Sequence, residues 1–343
     1  MTTEPAAKHA ASIRDVAKVA GVSYQTVSRV LNDHPSIRPA TRQRVLDAMS
    51  QLDFRPNRAA RMLASNRSFT VGVLATVNGA YYGPTSSINA IEDAAREAGY
   101  STLLASPRSM EAEELRDALT HLILEGVAGI VALAPQGRAA EVVATLRTPV
   151  PVVVMQSDPG LSVDNRLGGA LAARHLLGLG HRRLALIAGP TDWSEAEERR
   201  AGFEATLAEA GLEPVAVAHG DWSPDSGYQA FVRIAEHSPT GLFCANDQMA
   251  LGAIHAAADR GLSVPRDLSV IGFDDVPESA HYLPPLTTLR QEFEVLGRRS
   301  ISSLLARVEG NAAEYQTPVT PNLIVRASTM PAPPESQGSA ESL

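Results

Sequence analysis

Hydrophobic and polar positions follow two different periods along this chain. Up to about residue 64, apolar residues recur three and four apart, the helical spacing. From Phe69 onward they gather into short β-rich runs separated by amphipathic stretches. In the first part, Ile13, Val16, Ala17 and Ala20 form one stripe, opened by Ser12 and Asp15 at a capping-box-like spacing. Gly21 permits the left-handed backbone that ends one helix and admits the next. Ser23 then caps a second helix by accepting from an N–H one turn on, and Val27, Val30 and Leu31 make its apolar face. Helix, glycine turn and second helix at this spacing predict a helix-turn-helix. A third helix, about Pro39 to Leu52, starts with proline near its first turn and brings Val45, Leu46, Met49 and Leu52 to a small three-helix core.

The later runs include FTVGVLAT (69–76), STLLAS (101–106), GIVALA (129–134) and VPVVVM (150–155). They continue with RLALIAG (183–189), PVAVAHG (214–220), GLFCAN (241–246) and LSVIGFDD (268–275). Amphipathic stretches separate them, among them 88–98, 112–125, 167–179 and 196–210. Near-continuous apolar strands alternating with helices predict parallel sheets covered on both faces. About eight such units exceed one comfortable sheet, and a break near Ser162 to Gly169 divides them into two similar lobes.

Charge changes the picture of the helical part. The chain carries −8 overall, yet between Lys8 and Arg67 eleven Lys and Arg face four acids, a local +7 that leaves −15 elsewhere. A basic head on an acidic body fits a polyanion-binding module joined to a domain that DNA repels. On the polar side of the second helix lie Tyr24, Gln25, Ser28 and Arg29. Alone, that helix reads equally as an ordinary amphipathic surface helix. Within a basic helix-turn-helix, its amide and guanidinium are groups that make paired hydrogen bonds to base edges in the major groove. The DNA-contacting set is therefore Ser23, Tyr24, Gln25, Thr26, Ser28, Arg29 and Asn32, followed by Asn57, Arg58 and Leu63 in the next segment. There, Arg58 to Ala64 is too short to be a stable helix alone. It reads as a plain linker, or as a hinge helix that orders on DNA with Leu63 wedged between base steps in the minor groove.

At the strand ends of the later part stand Gln156, Trp222, Asn246, Asp247, Asp274 and Asp275, with Arg199 in the helix after RLALIAGP. In parallel α/β sheets, ligands bind beyond the carboxyl ends of strands. Amides, carboxylates and a guanidinium around an indole suit a polyhydroxylated ligand, whose hydroxyls want donors and acceptors and whose apolar face stacks on an aromatic. Any one of these also reads as a helix cap, and Asp247 or Asp275 is expected to be one. The effector set is Thr76, which ends the first run, Gln156, Arg199, Trp222, Asn246, Asp274 and Gln291.

Catalytic and metal motifs are missing: no GxSxG, HExxH, CxxC or GxxxxGK[ST] occurs, and no cofactor is called for. The GLG at 178–180 follows a helix, so it is no dinucleotide loop, and His181 reads as a helix-end histidine rather than a metal ligand. The single cysteine, Cys244, lies in an apolar run and reads as buried. With no secretory signal and no membrane-length apolar stretch, a cytoplasmic, nucleoid-associated protein is expected.

The head, IRDVAKVAGVSYQTVSRVLN followed by RPATRQRVLDAMSQLDFRPNRAARMLA, resembles the lac/galactose repressor family. So do GDWSPDSG (220–227), ANDQMALGA (245–253) and LPPLTTLRQEF (283–293), so the likeness runs through nearly the whole chain. It implies a helix-turn-helix head (1–55), a hinge helix or linker (56–68) and a two-lobed, periplasmic-binding-protein-like core (69–330) that homodimerises. It further implies crossings between lobes near Asn165, Glu292 and Asn322, with a DNA-proximal lobe of about 69–165 plus 293–321 and a distal lobe of about 166–292 plus 322–330. By the same resemblance, Tyr24, Gln25 and Arg29 match base-reading positions and Leu63 the wedging leucine. Arg199, Asn246 and Asp274 match sugar-hydroxyl contacts, Trp222 the indole under the sugar, and Gln291 lies nearby. The function implied is a repressor of double-stranded operator DNA relieved by a galactoside or related β-glycoside. The alternatives are a regulator with a purine or nucleoside co-repressor and a solute-binding transport component. Two departures stand out. Gln156 replaces an acid found after the fourth strand in a similar family member, and the tail 331–343 lacks tetramerising leucine heptads, so it is expected to be disordered in a dimer.

Overall fold

The computed structural model describes residues 11–31, 34, 36–54, 67–75, 82–109, 111–133, 141–143, 145–312 and 316–333. The chain divides into two compact units, Met1–Phe69 and Thr70–Leu343. In the first, helix α1 (Ile13–Ala20) begins at a complete capping box. Ser12 Oγ accepts from the Asp15 N–H at 3.3 Å, and the Asp15 carboxylate accepts from the Ser12 N–H at 2.9 Å. Gly21 ends α1 at φ 62°, a backbone that residues with a Cβ adopt only at a cost. Helix α2 (Tyr24–Leu31) opens with Ser23 Oγ accepting from the Thr26 N–H at 3.1 Å, and helix α3 (Pro39–Gln51) carries Pro39 in its first turn. Val16, Val27 and Val45 are fully buried between the three helices, with Ala17, Ala20, Val30 and Ala48 around them. One expected core position is corrected. Leu46 is 44% exposed, because it lies about 100° round α3 from Val45, and Ala48 takes the inner place instead.

In the second unit, β1 (Thr70–Ala75), α4 (Tyr82–Glu97), β2 (Ser101–Ala105), α5 (Ala112–Leu124), β3 (Gly129–Leu133) and β4 (Val152–Met155) build one lobe. Its strands are all parallel, in the order β2-β1-β3-β4. Helix α4 starts six residues before the expected Ile88, since Pro84 is tolerated in a first turn. The other lobe runs α6 (Asn165–Gly178), β5 (Leu184–Ala188), α7 (Ser194–Glu209), β6 (Ala216–His219), α8 (Pro224–Ile234), β7 (Gly241–Cys244), α9 (Asp247–Asp259) and β8 (Ser269–Ile271). It repeats the topology as β6-β5-β7-β8, again parallel. In both sheets the strand order reverses beside the first strand, which opens a crevice at the carboxyl ends.

A short antiparallel pair, β9 (Thr288–Arg290) with β10 (Asn322–Ile324), follows, and helix α10 (Phe293–Val308) lies between its strands in sequence. Helix α10 packs back on α4 of the first lobe, where a Cβ on Gly297 would stand 2.5 Å from the Ala90 backbone. Val163 bridges Val319 in parallel, and Asn322 Nδ2 donates to Glu292 Oε1 at 3.1 Å, so the segments at 163, 319–322 and 292 are held together. Both expected sheets are thus present, each covered by helices. Among the described residues no helix is long and apolar enough to cross a membrane, and no cluster of His, Cys, Asp or Glu is placed to hold a metal ion.

Candidate functional site

In the first unit, packing decides what α2 offers outward. Val27 and Val30 bury its inner face, which leaves Tyr24, Gln25 and Arg29 exposed and Thr26 and Ser28 half-buried. Ser23 and Thr26 spend their hydroxyls on each other, 2.9 Å apart at the cap. Arg14, Lys18, Arg38 and Arg44 are also exposed. Asn32, Asn57, Arg58 and Leu63 lie outside the described residues, as does most of the segment read as linker or hinge.

In the second unit, residues from both lobes line one partly open cavity. Gln156, Arg199, Trp222, Asn246, Asp274 and Gln291 all line it; Thr76 lies outside the described residues. Gln156 follows β4, Trp222 follows β6, Asn246 follows β7 and Asp274 follows β8, each at a carboxyl end. Three of these four hold positive φ: Gln156 69°, Trp222 74° and Asp274 109°. Such backbone costs on the order of 1–3 kcal/mol per residue, and it aims each side chain off its strand end. Gly189, just after β5, makes room for the indole, since a Cβ there would meet the Trp222 six-membered ring at 2.3 Å. Trp193 stands edge-on to it, ring centroids 5.5 Å apart.

Arg199 is the electrostatic centre. It donates through Nε to Asn165 Oδ1 at 2.8 Å and through Nη1 to Ala245 O at 2.6 Å, and Nη1 lies 3.6 Å from Asp274 Oδ1. Its guanidinium stacks 3.7 Å over the Phe273 ring. Gln291 Nε2 donates to the same Asp274 oxygen. Burial nevertheless dominates at Asp274 and pushes its carboxyl up to about 6, against the pull of Arg199 and Gln291. Trp222 Nε1 and Gln156 Oε1 are buried without a hydrogen-bond partner. Orphaned groups of this kind in a lined cavity await a ligand or water.

Two readings of the strand-end polar residues change. Asn246, not Asp247, caps α9, with Oδ1 accepting from the Met249 N–H at 2.9 Å. Asp247 is fully buried and accepts from Thr288 Oγ1 at 2.5 Å and the Val276 N–H at 2.9 Å, with burial, then Asp274, pushing its carboxyl well up. Asp275 is no cap either. Burial pushes its carboxyl up, but hydrogen bonds from Arg326 and Arg290 outweigh this and hold it below the usual carboxylate range. His181 does stand just past the end of α6, where its N–H donates to Leu176 O at 3.1 Å, while its buried ring bonds to Thr240, Ser269 and the Met330 carbonyl and burial lowers its pKa. Cys244 is free and buried, as its apolar run predicts.

Comparison with known proteins agrees with this architecture. Residues 12–57 match the model of bacterial regulatory proteins of the lacI family, and residues 173–329 match the periplasmic binding protein-like domain. The lactose operon repressor of Escherichia coli (strain K12) is 36% identical over 327 residues, 93% of this chain and 91% of that protein. The chain belongs to the lacI family of bacterial regulatory proteins. Another relative, the HTH-type transcriptional repressor PurR of Haemophilus influenzae (strain ATCC 51907 / DSM 11121 / KW20 / Rd), is 37% identical over 333 residues, 93% of this chain and 98% of its own. Among solved structures, the lac repressor dimer bound to operator and the anti-inducer ONPF superposes with a TM-score of 0.80 at 36% identity, covering 94% of this chain and all of that one. The transcriptional regulator CelR–cellobiose complex superposes at 0.68 with 30% identity, covering 93% and 99% of the two chains.

For this lacI-family chain, sequence reasoning missed several cavity residues. Tyr82 and Ser87 come from α4, Phe293 from α10, and Trp193 and Glu195 from the start of α7. Tyr82 meets Phe293 edge-on at 5.8 Å. Glu195 carried one usable signal: it precedes Arg199 by four residues, which puts both on one helix face. The others are brought in by tertiary packing alone.

Proposed function

We propose that the protein is a dimeric, DNA-binding transcriptional repressor whose grip on its operator is relieved by a small sugar, a galactoside or related β-glycoside, held in the cavity between the lobes. The observation that carries this reading is the convergence of Arg199, Asp274, Asn246, Gln291 and Gln156 on one cavity beside the Trp222 indole. Hydroxyls need the donor–acceptor mix and a pyranose ring needs the aromatic face. The printed names of two relatives, a lactose operon repressor and a regulator complexed with cellobiose, support a sugar. The operator-bound dimer of the lac repressor supports both the DNA partner and the dimer. Tyr24, Gln25 and Arg29 read bases, and the exposed cations of the head hold phosphates. The ligand acts only so far as it prefers the released state of the protein.

A second reading, a purine or nucleoside acting as co-repressor, is favoured by relatives named PurR at matching identity. One experiment separates the two: selection of bound sequences from random DNA with and without β-galactoside, β-glucoside, cellobiose, adenine or adenosine. The sugar reading expects operator retention to fall with a glycoside. Retention that rises with adenine or adenosine and ignores all three glycosides contradicts it.

A further inference from the structure

We infer that Glu195 is a ligand-contacting, specificity-determining residue, which makes this cavity take hydroxyl-rich glycosides without negative charge and reject anionic ones such as sugar phosphates. The inference rests on the sugar reading above and narrows it. Glu195 sits in the first turn of α7 and lines the cavity one helical turn before Arg199. Among the described residues its carboxylate makes no hydrogen bond, and burial raises its pKa despite the nearby Arg199. Arg199 is partly committed: Nε donates to Asn165 and one Nη1 hydrogen to Ala245, and its close carboxylate is Asp274 at 3.6 Å. The described lining therefore holds two carboxylates against one guanidinium, and Glu195 is the surplus one.

The unused hydrogen-bonding groups point the same way. Among the described residues the buried orphans of the cavity are the acceptor Gln156 Oε1 and the donor Trp222 Nε1, beside a Glu195 carboxylate with no hydrogen bond and the N–H groups that Arg199 has not spent. Each sugar hydroxyl donates one hydrogen, which the carboxylates take, and accepts in return from the indole or the guanidinium. Two adjacent hydroxyls span one carboxylate in charge-assisted pairs. A phosphate brings acceptors and negative charge to groups that already carry both.

The test uses the full chain and its own fluorescence, because its only two tryptophans, Trp193 and Trp222, both line the cavity. Wild type, Glu195→Gln and Glu195→Ser are titrated with methyl β-galactoside, methyl β-glucoside, their 6-phosphates, cellobiose, methyl β-galactosaminide and adenine, with thermal unfolding as the check on folding. We expect a neutral glycoside to bind wild type at least tenfold tighter than its 6-phosphate. Glu195→Gln should weaken the neutral ligand about tenfold or more and close most of the gap to the phosphate, with Glu195→Ser behaving alike. Neutral-sugar affinity within twofold of wild type in both variants, with the discrimination intact, overturns the role of Glu195 while leaving the sugar reading standing. Tighter binding of a 6-phosphate than of its neutral parent by wild type overturns the rejection of anions, whereas tighter binding of the amino sugar, lost in Glu195→Gln, supports the surplus carboxylate. Binding of adenine with no response to any neutral glycoside overturns the sugar reading and this inference together.

Discussion

Asp274 is pulled two ways: burial raises its carboxyl to about 6, while Arg199 and Gln291 draw it down. In the free protein it therefore holds its proton over much of the range between about 4 and 6. A folded-state pKa above the ordinary value adds stability that is complete below the ordinary value and is lost as pH rises through 6. For Asp274 this amounts to about 3 kcal/mol, checked by denaturant unfolding from pH 4 to 7. Ligand hydroxyls that donate to Asp274 favour its ionised form, so binding releases a proton. Effector affinity should rise about tenfold between pH 5 and 7 and then level off. Glu195 works in the same direction, since burial raises its carboxyl too, and burial pushes Asp247 up as well. A flat or falling affinity over that range would remove Asp274 from the site. In the head, Gln25→Ala or Arg29→Ala should relax preference at one operator position by about 1–3 kcal/mol, read from selected sequences; unchanged preference removes the base-reading role.

At the scale of elements, the contact between α6 and α7 sets where Arg199 lands. A Cβ on Gly169 would fall 1.9 Å from Arg199 O, and one on Gly202 1.8 Å from Arg166 O, so the two helices touch backbone to backbone. Gly169→Ala should push α7 away and destabilise the core by about 1–3 kcal/mol, and it should weaken ligand binding in titrations of the folded fraction. Normal stability and normal ligand affinity would show that the contact yields freely. Ser12→Ala should cost the head about 1 kcal/mol through loss of its cap, measured by unfolding of the helical signal. What was legible in the sequence follows from how local the signals are. Ser12 with Asp15, Gly21 and Ser23 bond to residues a turn away, so the helix-turn-helix could be read directly. Leu46 was misplaced because apolarity alone does not fix position around a helix. The partners of Asp247 are Thr288 and Val276, 41 and 29 residues on, and no local pattern announces them. The strand-end residues of the cavity were visible because parallel sheets gather their carboxyl ends. Trp193, Tyr82 and Phe293 were not, because they arrive at helix starts whose convergence only the packed lobes define, and Glu195 was signalled only by its spacing from Arg199.

For the whole molecule, the account joins a basic head to an acidic, ligand-holding body. Affinity carried by Lys and Arg on phosphates should fall steeply with salt, by about three orders of magnitude or more from 50 to 200 mM if six or more phosphates are neutralised. Operator affinity that ignores salt would contradict the charge distribution on which the head's role rests. The most direct test is operator affinity of the full chain, on the DNA it selects, with and without saturating neutral β-glycoside, beside a variant lacking residues 1–67. The account predicts tight binding that the glycoside weakens at least tenfold and that the truncated chain loses altogether. Promoter fragments held equally well by the truncated chain, or by the full chain with its cavity filled, would contradict it.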